Sequence, residues 1–234
     1  MAGTERFDLP VAVRLKLQSR SGEVLVFAEA RDDVEVEGND IDAVREDDGT
    51  FRVRCGRGHS KFTVRVPVGT DVTVGSMSGS VRMQGEFGSV LVTTMSGNIE
   101  VDTIDEGDLR SMSGSVTIGA CRGRCRLGSV SGKVAAGELD SVMAQSTSGS
   151  IRIERVAGDV MARSVSGSVD VRAGGEGPIA VKTVSGKVRI ALPEGTEPQA
   201  RFKTMGRVRC DLRPGMDCRV DAVSLSGSID VVPG

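Results

Sequence analysis

Apolar and polar residues alternate over short stretches along most of the chain, and the stretches are separated by glycines. In residues 11–17, for example, Val11, Val13, Leu15 and Leu17 are apolar, while positions 14 and 16 between them are polar. A spacing of two residues is typical of a β-strand with one buried face. No amphipathic segment of helical length stands out, so the pattern predicts an all-β fold.

One phrase, Ser-x-Ser-Gly-Ser-Val/Ile, recurs with small variations from Ser76 to Ser168. Its glycines follow one another at a nearly constant step of about 17–18 residues, and a fixed short period is the signature of a solenoid. In such a fold each unit buries its apolar side only against its neighbours. The glycines of these copies are Gly79, Gly97, Gly114, Gly132, Gly149 and Gly167.

A second apolar stretch lies between successive phrases, as in residues 88–92 (Gly-Ser-Val-Leu-Val). Each coil is therefore predicted to hold two main strands joined by short glycine-containing corners. Toward the C-terminus the period becomes longer, since the next glycines of this kind are Gly186, Gly206 and Gly227. The sequence predicts a single-stranded parallel β-helix, or β-solenoid, with coils of about 17–21 residues.

Alternation within the phrase assigns every second residue to the interior. Met77, Gly79 and Val81 are predicted to point inward, as are the equivalent residues of later copies. Because Met95 breaks the alternation of the stretch before it, we expect a corner or bulge near Thr94. The second serine of each copy is predicted to face outward, and together these serines form a column: Ser78, Ser96, Ser113, Ser131, Ser148, Ser166 and Ser185.

The first third of the chain is less regular. Residues 19–22 (Ser-Arg-Ser-Gly) match the phrase, and the distance from Gly22 to Gly79 is close to three coils of ~19 residues each. We predict irregular N-terminal coils and a cap in residues 1–75, continuous with a regular Ser-Gly repeat solenoid in residues 76–234, one domain in all. Residues 224–229 are a last clean copy, so open coil ends are expected near Val13 and Ile229.

A further motif, apolar-Pro-x-Gly-Thr-acid, occurs at residues 66–71 and again at residues 192–197. With the repeated Val-Ser-Gly units, it resembles a bacterial domain family of unknown function described as putative adhesins with β-strand repeats. The resemblance covers roughly residues 15–232. It implies a parallel β-helix-like fold and an adhesin-like role, and it carries no catalytic residues to transfer.

Composition and charge fit this picture. The chain is 38% hydrophobic with only 3% aromatic residues and no Trp or Tyr, so a narrow aliphatic core is expected. Residues 1–50 hold 13 acidic side chains against 6 basic ones, while the net charge is −2. The first residues show no export signal, and no apolar run reaches the ~18 residues that span a bilayer. We therefore expect a cytoplasmic protein without a membrane span, and reduced thiols for its five cysteines.

Candidate catalytic and metal-binding residues are few. His59 is the only histidine, and no Gly-x-Ser-x-Gly elbow accompanies it, so we interpret it as an exposed loop residue. Cys55 with His59, and Cys121 with Cys125, have the spacing of metal ligands but lack two further ligands nearby. We interpret the cysteines as core residues and expect no metal and no cofactor.

Acidic and basic side chains give no stronger signal. Glu100, Asp170 and Asp230 face outward but lie in different coils, so they are not expected to meet at one bond of a polysaccharide. Basic residues cluster at 122–126 and at 187–209 without Tyr or Trp, which disfavours binding of nucleic acid. The sequence thus predicts a protein that is not an enzyme.

Three functional hypotheses follow. The first is a non-catalytic interaction module, a rigid solenoid that presents its repetitive serine face to a protein or a glycan. The second is a self-assembling cytosolic scaffold or filament subunit, with strand pairing through the open coil ends. The third and most distant is a polysaccharide-active enzyme. The serine column also has a structural interpretation, because serine tolerates tight corners and hydrogen-bonds to the backbone in turns.

Overall fold

A computed structural model of the chain describes residues 3–8, 14–38, 41–46, 49–55 and 61–234. Over these residues the chain is built from β-strands and turns, without a helix, which confirms the predicted all-β class. The strands are β1 (Gly3–Asp8), β2 (Arg14–Ser19), β3 (Val24–Glu29), β4 (Asp33–Gly38), β5 (Ile41–Arg45), β6 (Thr50–Cys55), β7 (Phe62–Pro67), β8 (Asp71–Ser76), β9 (Val81–Thr94), β10 (Ile99–Ser111), β11 (Val116–Ser129), β12 (Val134–Ser146), β13 (Ile151–Val156), β14 (Val160–Ser164), β15 (Val169–Ala173), β16 (Ile179–Thr183), β17 (Val188–Leu192), β18 (Gln199–Lys203), β19 (Val208–Cys210), β20 (Arg219–Ser224) and β21 (Ile229–Pro233).

The chain forms two compact units, Met1–Ile118 and Gly119–Gly234. In the second unit, a coil consists of one strand, the Ser-Gly turn and a second strand. Strands before the turn pair in parallel from coil to coil (β12–β14–β16), and strands after the turn do the same (β12–β13–β15–β17). This pairing confirms the predicted β-solenoid with two main strands per coil.

The core is a set of aliphatic columns. Ile151, Val169 and Val188 are register partners in successive coils, and each is at most 1% exposed. The residue after each of them points to solvent or is half-buried, as expected for strands with one buried face. Burying one such side chain contributes roughly 1.5–3 kcal/mol, so the stack of coils supplies most of the driving force for folding.

The Ser-Gly turn interrupts the alternation of buried and exposed residues. Ser76 and Thr94 are buried, and the two residues that follow each of them are both exposed. The corner predicted near Thr94 is thus confirmed. The inward orientation predicted for Met77 and Met95 is wrong, because a turn that sends two consecutive residues outward shifts the alternation by one position.

The glycine of the turn is required by close packing between coils. A Cβ atom added to Gly97 would lie 2.0 Å from the carbonyl oxygen of Gly79 in the neighbouring coil, and one added to Gly149 would lie 1.8 Å from that of Gly132. Real Cβ atoms do not approach an oxygen so closely, and neither glycine has a positive φ angle. The recurring glycine therefore sets the distance between turns.

In the first unit, the coils do not follow one another in sequence order. Strand β2 lies between β6 and β8, and β3 lies between β7 and β9, all in parallel. Gly22 consequently stacks directly against Gly79, whose added Cβ would be 1.7 Å from the Gly22 oxygen. The estimate of three coils between these glycines is wrong, because β6 and β7, which lie between them in the sequence, form a layer on the other side of β2 and β3.

Antiparallel strands cover this outer layer. Strand β5 pairs with β6, β4 pairs with β7, and β1 pairs with β4, each in antiparallel register. The switch from parallel to antiparallel pairing ends the repeat, because an antiparallel strand can return directly from its neighbour without another coil. The division into irregular N-terminal coils with a cap in residues 1–75 and a regular solenoid in residues 76–234 stays a prediction. The extent of the single predicted domain stays a prediction.

The second unit has the same interleaving at its C-terminal end. Strand β20 lies between β16 and β18, and β21 lies between β17 and β19. The prediction that Ile229 marks an open end is therefore wrong, because β21 is paired on both sides. Among the described strands, β18 and β19 form the outer layer. Val13, the other predicted end, lies outside the described residues.

Candidate interaction surface

The predicted serine column lies on the surface in both units. All seven of its serines are exposed. Their backbones are held in register, since the Ser96 amide donates to the Met77 carbonyl at 3.0 Å and the Ser113 amide donates to the Met95 carbonyl at 3.0 Å. Within each unit, the hydroxyls therefore repeat at about the spacing of neighbouring strands, ~4.8 Å.

An apolar column lies beside the serines, at positions that strict alternation assigns to the interior. Met77, Met95 and Met112 are 52%, 48% and 53% exposed in the first unit. In the second unit the same turn position holds Val130, Thr147, Val165, Val184 and Leu225, all exposed. We call the serine column and this neighbouring apolar column the turn strip. The sequence signal for this column is the spacing within the phrase. Two residues separate the first serine from the glycine, and both of them face outward.

In most copies of the phrase, the first serine or threonine holds the turn together from inside, whereas the buried hydroxyls of Thr183 and Ser224 make no hydrogen bond with the described residues. In the second unit, Ser146 and Ser164 are buried, and their hydroxyl oxygens accept hydrogen bonds from the amides of Gly149 (2.9 Å) and Gly167 (3.0 Å). In the first unit, the Thr94 hydroxyl accepts in the same way from Gly97. Because these bonds are buried and local, the strip is presented on a rigid turn.

Charged residues are paired between neighbouring coils rather than gathered into a reaction centre. Arg82 donates to Glu100 at 2.9 Å and to Glu23 at 3.0 Å, and the hydrogen bond to Glu100 raises the pKa of Arg82. Lys187 pairs with Asp230 at 3.0 Å. Two of the three predicted outward acids, Glu100 and Asp230, are thus engaged in ion pairs.

Among the described residues, an ion-pair cluster joins Arg31, in the connection between β3 and β4, to two carboxylates of β4. Arg31 contacts Asp33 at 2.8 Å and Glu35 at 3.0 Å, with its side chain 13% exposed. The hydrogen bond to Asp33 raises the pKa of the Arg31 guanidinium above its ordinary value. This cluster ties the antiparallel strand β4 to the connection that precedes it.

The candidate metal ligands do not come together in the described part of the chain. Cys121 and Cys125 are buried core residues, as interpreted from the sequence, and Cys218 is buried while Cys210 is exposed. Desolvation raises the pKa of the Cys218 thiol. No group of three or more His, Cys, Asp or Glu side chains within this part could hold a metal ion. His59, and the side chain of Cys55, lie outside the described residues.

Parallel strands joined by serine-glycine turns occur in both units, and antiparallel strands cover the outer layer of the first unit. A family model for Toastrack DUF4097 matches residues 28–212. The chain belongs to this family. The expectation drawn from the Val-Ser-Gly and Pro-x-Gly-Thr motifs is thereby confirmed.

Solved structures share the fold of this Toastrack chain. One is a putative adhesin from Bacteroides fragilis NCTC 9343, at 13% identity over 99% of this chain and 97% of that chain, with a TM-score of 0.52. A second is a putative adhesin from Parabacteroides distasonis ATCC 8503, at 10% identity over 98% and 97%, with a TM-score of 0.53. A third is a putative lipid binding protein from the same strain, at 12% identity over 98% and 96%, with a TM-score of 0.57.

Two further findings bear on identity and location. No match to a curated protein sequence was found. Within the ranges that the structure describes, no helix is long and apolar enough to cross a membrane.

Proposed function

We propose that this Toastrack chain is a non-catalytic interaction module whose contact surface is the turn strip, and that the partner is a protein or a glycan. The observation that carries the proposal is the exposed apolar column beside the serines. Soluble proteins rarely leave ordered apolar side chains in adjacent rows at the surface, and such rows mark binding surfaces. The structural neighbours are described as adhesins and as a lipid binding protein, and these are binding functions, as in this proposal.

Two physical properties suit the strip to binding. Every turn of the strip except the one with Thr147 offers an apolar side chain beside a serine hydroxyl, so a partner can bury apolar surface and satisfy polar groups in the same contact. The backbones of the turns are already fixed by hydrogen bonds to the next coil and, in most copies, by the buried serine or threonine hydroxyl. Binding to a preorganised surface loses less conformational entropy, which favours affinity.

The methionine part of the strip, in the first unit, supports a protein partner. Methionine side chains are flexible and polarisable, and they adapt to irregular apolar surfaces. The serines of the second unit have smaller β-branched neighbours, Val130, Val165 and Val184. A flat row of hydroxyls and small apolar groups also fits a glycan, whose faces alternate hydroxyls with C–H groups.

The test compares two variants that each replace three apolar residues. In the strip variant, Met77, Met95 and Met112 are replaced by Ser. In the control variant, three scattered residues of similar exposure in the first unit, Val44, Val68 and Leu91, are replaced by Ser. Glycan arrays and quantitative capture from cell extracts are run in parallel with the parent protein and with both variants.

We expect the ligands that bind the parent and the control variant to bind the strip variant at least about tenfold less, because buried apolar contacts are lost. Replacing Ser113, Ser131 and Ser148 by Lys should give the same loss. If the strip variants retain every ligand of the parent, the serines and methionines are structural and the proposal fails.

A further inference from the structure

A second surface, apart from the turn strip, is a groove on the outward side of the strands that follow the turn in the second unit. It has a volume of about 390 Å³. Four strands in successive parallel register, β12, β13, β15 and β17, form its floor. The turn strip lies on the turns that precede these strands, so the two surfaces present different side chains.

The rim of the groove holds a row of four polar residues, one from each coil. Lys133, Ser150, Ser168 and Lys187 each immediately precede the first residue of their strand and line the groove. Two hydroxyls therefore lie between two ammonium groups. With neighbouring strands ~4.8 Å apart, the two lysines are separated by three steps, or about 14 Å along the row.

A second row of side chains adds one net positive charge to the groove. Arg152, Asp170 and Arg189 also line the groove and are register partners in successive coils. Asp170 is thus flanked by an arginine on each side, which offsets its charge. The Lys187 side chain is paired with Asp230, but the side chains of Lys133, Arg152 and Arg189 make no ion pair or hydrogen bond within the described residues.

We propose that this groove binds an acidic polysaccharide, with its sugar units lying along the four strands. The arginines offer paired N–H donors that match the geometry of a carboxylate. The serine hydroxyls between the lysines can exchange hydrogen bonds with sugar hydroxyls. A repeating polymer suits the groove because each coil presents equivalent positions, so one bound unit places the next unit over the next strand.

The composition of the groove distinguishes this ligand from others. Single-stranded nucleic acid and neutral sugars are commonly held by stacking on aromatic rings. No aromatic residue lines the groove, and the chain has no Trp or Tyr. Binding must then depend on charge and hydrogen bonding, which an acidic sugar supplies at regular intervals.

The test measures binding of polygalacturonate, with uncharged dextran, oligothymidylate and polyglutamate as comparison ligands. In the groove variant, Lys133, Arg152 and Arg189 become Ser. In the matched control, Arg201, Lys203 and Arg207, three exposed cations without an ion pair among the described residues, become Ser. Both variants change the net charge equally, and circular dichroism verifies that each is folded.

We expect polygalacturonate to bind the parent with an affinity that falls at high salt, and dextran not to bind. The groove variant should bind at least about tenfold more weakly, since charge-assisted hydrogen bonds are lost, while the control stays within about twofold. An equal loss in both variants, or no binding by the parent, would overturn the proposal. Oligothymidylate or polyglutamate binding in the groove more tightly than polygalacturonate would also overturn it.

A single added carboxylate gives an independent check if the triple variant is unstable. Ser168→Glu places a negative charge in the groove, whereas Ser148→Glu places one on the turn strip, and both residues are exposed. Loss of polygalacturonate binding is expected for Ser168→Glu alone. Loss for Ser148→Glu alone would assign the polysaccharide to the turn strip and contradict a groove site.

Discussion

At the scale of single residues, the Ser-Gly turn depends on two features. The glycine has no Cβ atom, and a buried hydroxyl lies on the residue three positions before it. The glycine allows the turns of neighbouring coils to touch through their backbones. The hydroxyl oxygen accepts a hydrogen bond from the glycine amide, which would otherwise be a buried donor without a partner. The exposed residues between them are then free to vary without loss of the turn.

Replacing Gly97 by Ala should therefore be costly. Its new Cβ would collide with the backbone of Gly79, and we expect a loss of about 2–3 kcal/mol in the free energy of unfolding, as for overpacking. Gly75 is the matched control, since nothing lies within 4 Å of a Cβ added there. Gly75→Ala should leave the free energy of unfolding unchanged or raise it by up to ~1 kcal/mol. Urea unfolding measures both, and equal effects would contradict the packing role.

The two serines of one turn should differ as sharply. Ser146→Ala leaves the buried Gly149 amide without the hydroxyl it contacts at 2.9 Å, which should cost about 1–3 kcal/mol. Ser148→Ala removes an exposed hydroxyl and should change stability by no more than ~0.5 kcal/mol. Thermal and urea unfolding of the pair measures the difference. A larger effect at Ser148 would mean that the assignment of buried and exposed serines is reversed.

Thiol labelling tests burial in the outer part of the second unit. Cys218 is buried and desolvation raises the pKa of its thiol, while Cys210 is exposed. Because the thiolate is the reactive form, Cys218 should label much more slowly than Cys210 near neutral pH. The rate at Cys218 should rise as the pH approaches its raised pKa. Mass spectrometry of labelled peptides measures both rates, and equal rates at native conditions would contradict the fold there.

At the scale of elements, the Pro-x-Gly-Thr turns mark where the chain passes over a layer. The first turn joins β7 to β8, which lie on opposite sides of the layer of β2 and β3. The second follows β17 and leads to β18, with the layer of β20 and β21 between them. Gly69 and Gly195 have φ angles of 79° and 85°, a left-handed conformation that glycine adopts without strain. The motif is thus a signal for interleaved coils.

Repetition made the coil and its two strands predictable, because hydrophobic alternation and a fixed glycine step report directly on one coil. The order of the coils was not predictable in the same way. Every coil offers the next one a similar row of backbone groups and aliphatic side chains, so the period is satisfied by more than one order. The inward assignment of Met77 and Met95 failed for a related reason, since alternation describes strands and does not hold within a turn.

The Arg31 ion-pair cluster should stabilise the antiparallel strands β1, β4 and β5, which we call the cap. Arg31→Ala removes the charge-assisted hydrogen bonds from Arg31 to the half-buried carboxylates of Asp33 and Glu35, and we expect a loss of about 1.5–3 kcal/mol in the free energy of unfolding. In the control, Arg155 pairs with Glu138 while its side chain is 75% exposed, so Arg155→Ala should cost at most ~1 kcal/mol. Chemical denaturation at low and high salt measures both. Equal losses would show that the cluster does not support the cap.

At the scale of the whole molecule, both units end in interleaved coils, and the described outer layers are protected in different ways. The outer layer of the first unit is covered by antiparallel strands. The outer layer of the second unit, β18 and β19, carries Arg201, Lys203 and Arg209, and Arg207 immediately precedes β19. Charged side chains on an edge strand oppose pairing with another copy. The turn strip and the groove both depend on the order in which the coils stack.

Disulfide formation between introduced cysteines tests that order directly. In a chain with Cys210 replaced by Ser, Val184 and Leu225 become Cys; Leu225 donates its amide to the Val184 carbonyl at 3.1 Å, so these positions are neighbours despite their separation in sequence. A second variant pairs Val184→Cys with Met205→Cys, which would be neighbours if coils stacked in sequence order. We predict a disulfide for Val184 with Leu225, at the spacing that disulfides require, and none for Val184 with Met205. The opposite result would contradict the interleaved solenoid and the surfaces built on it.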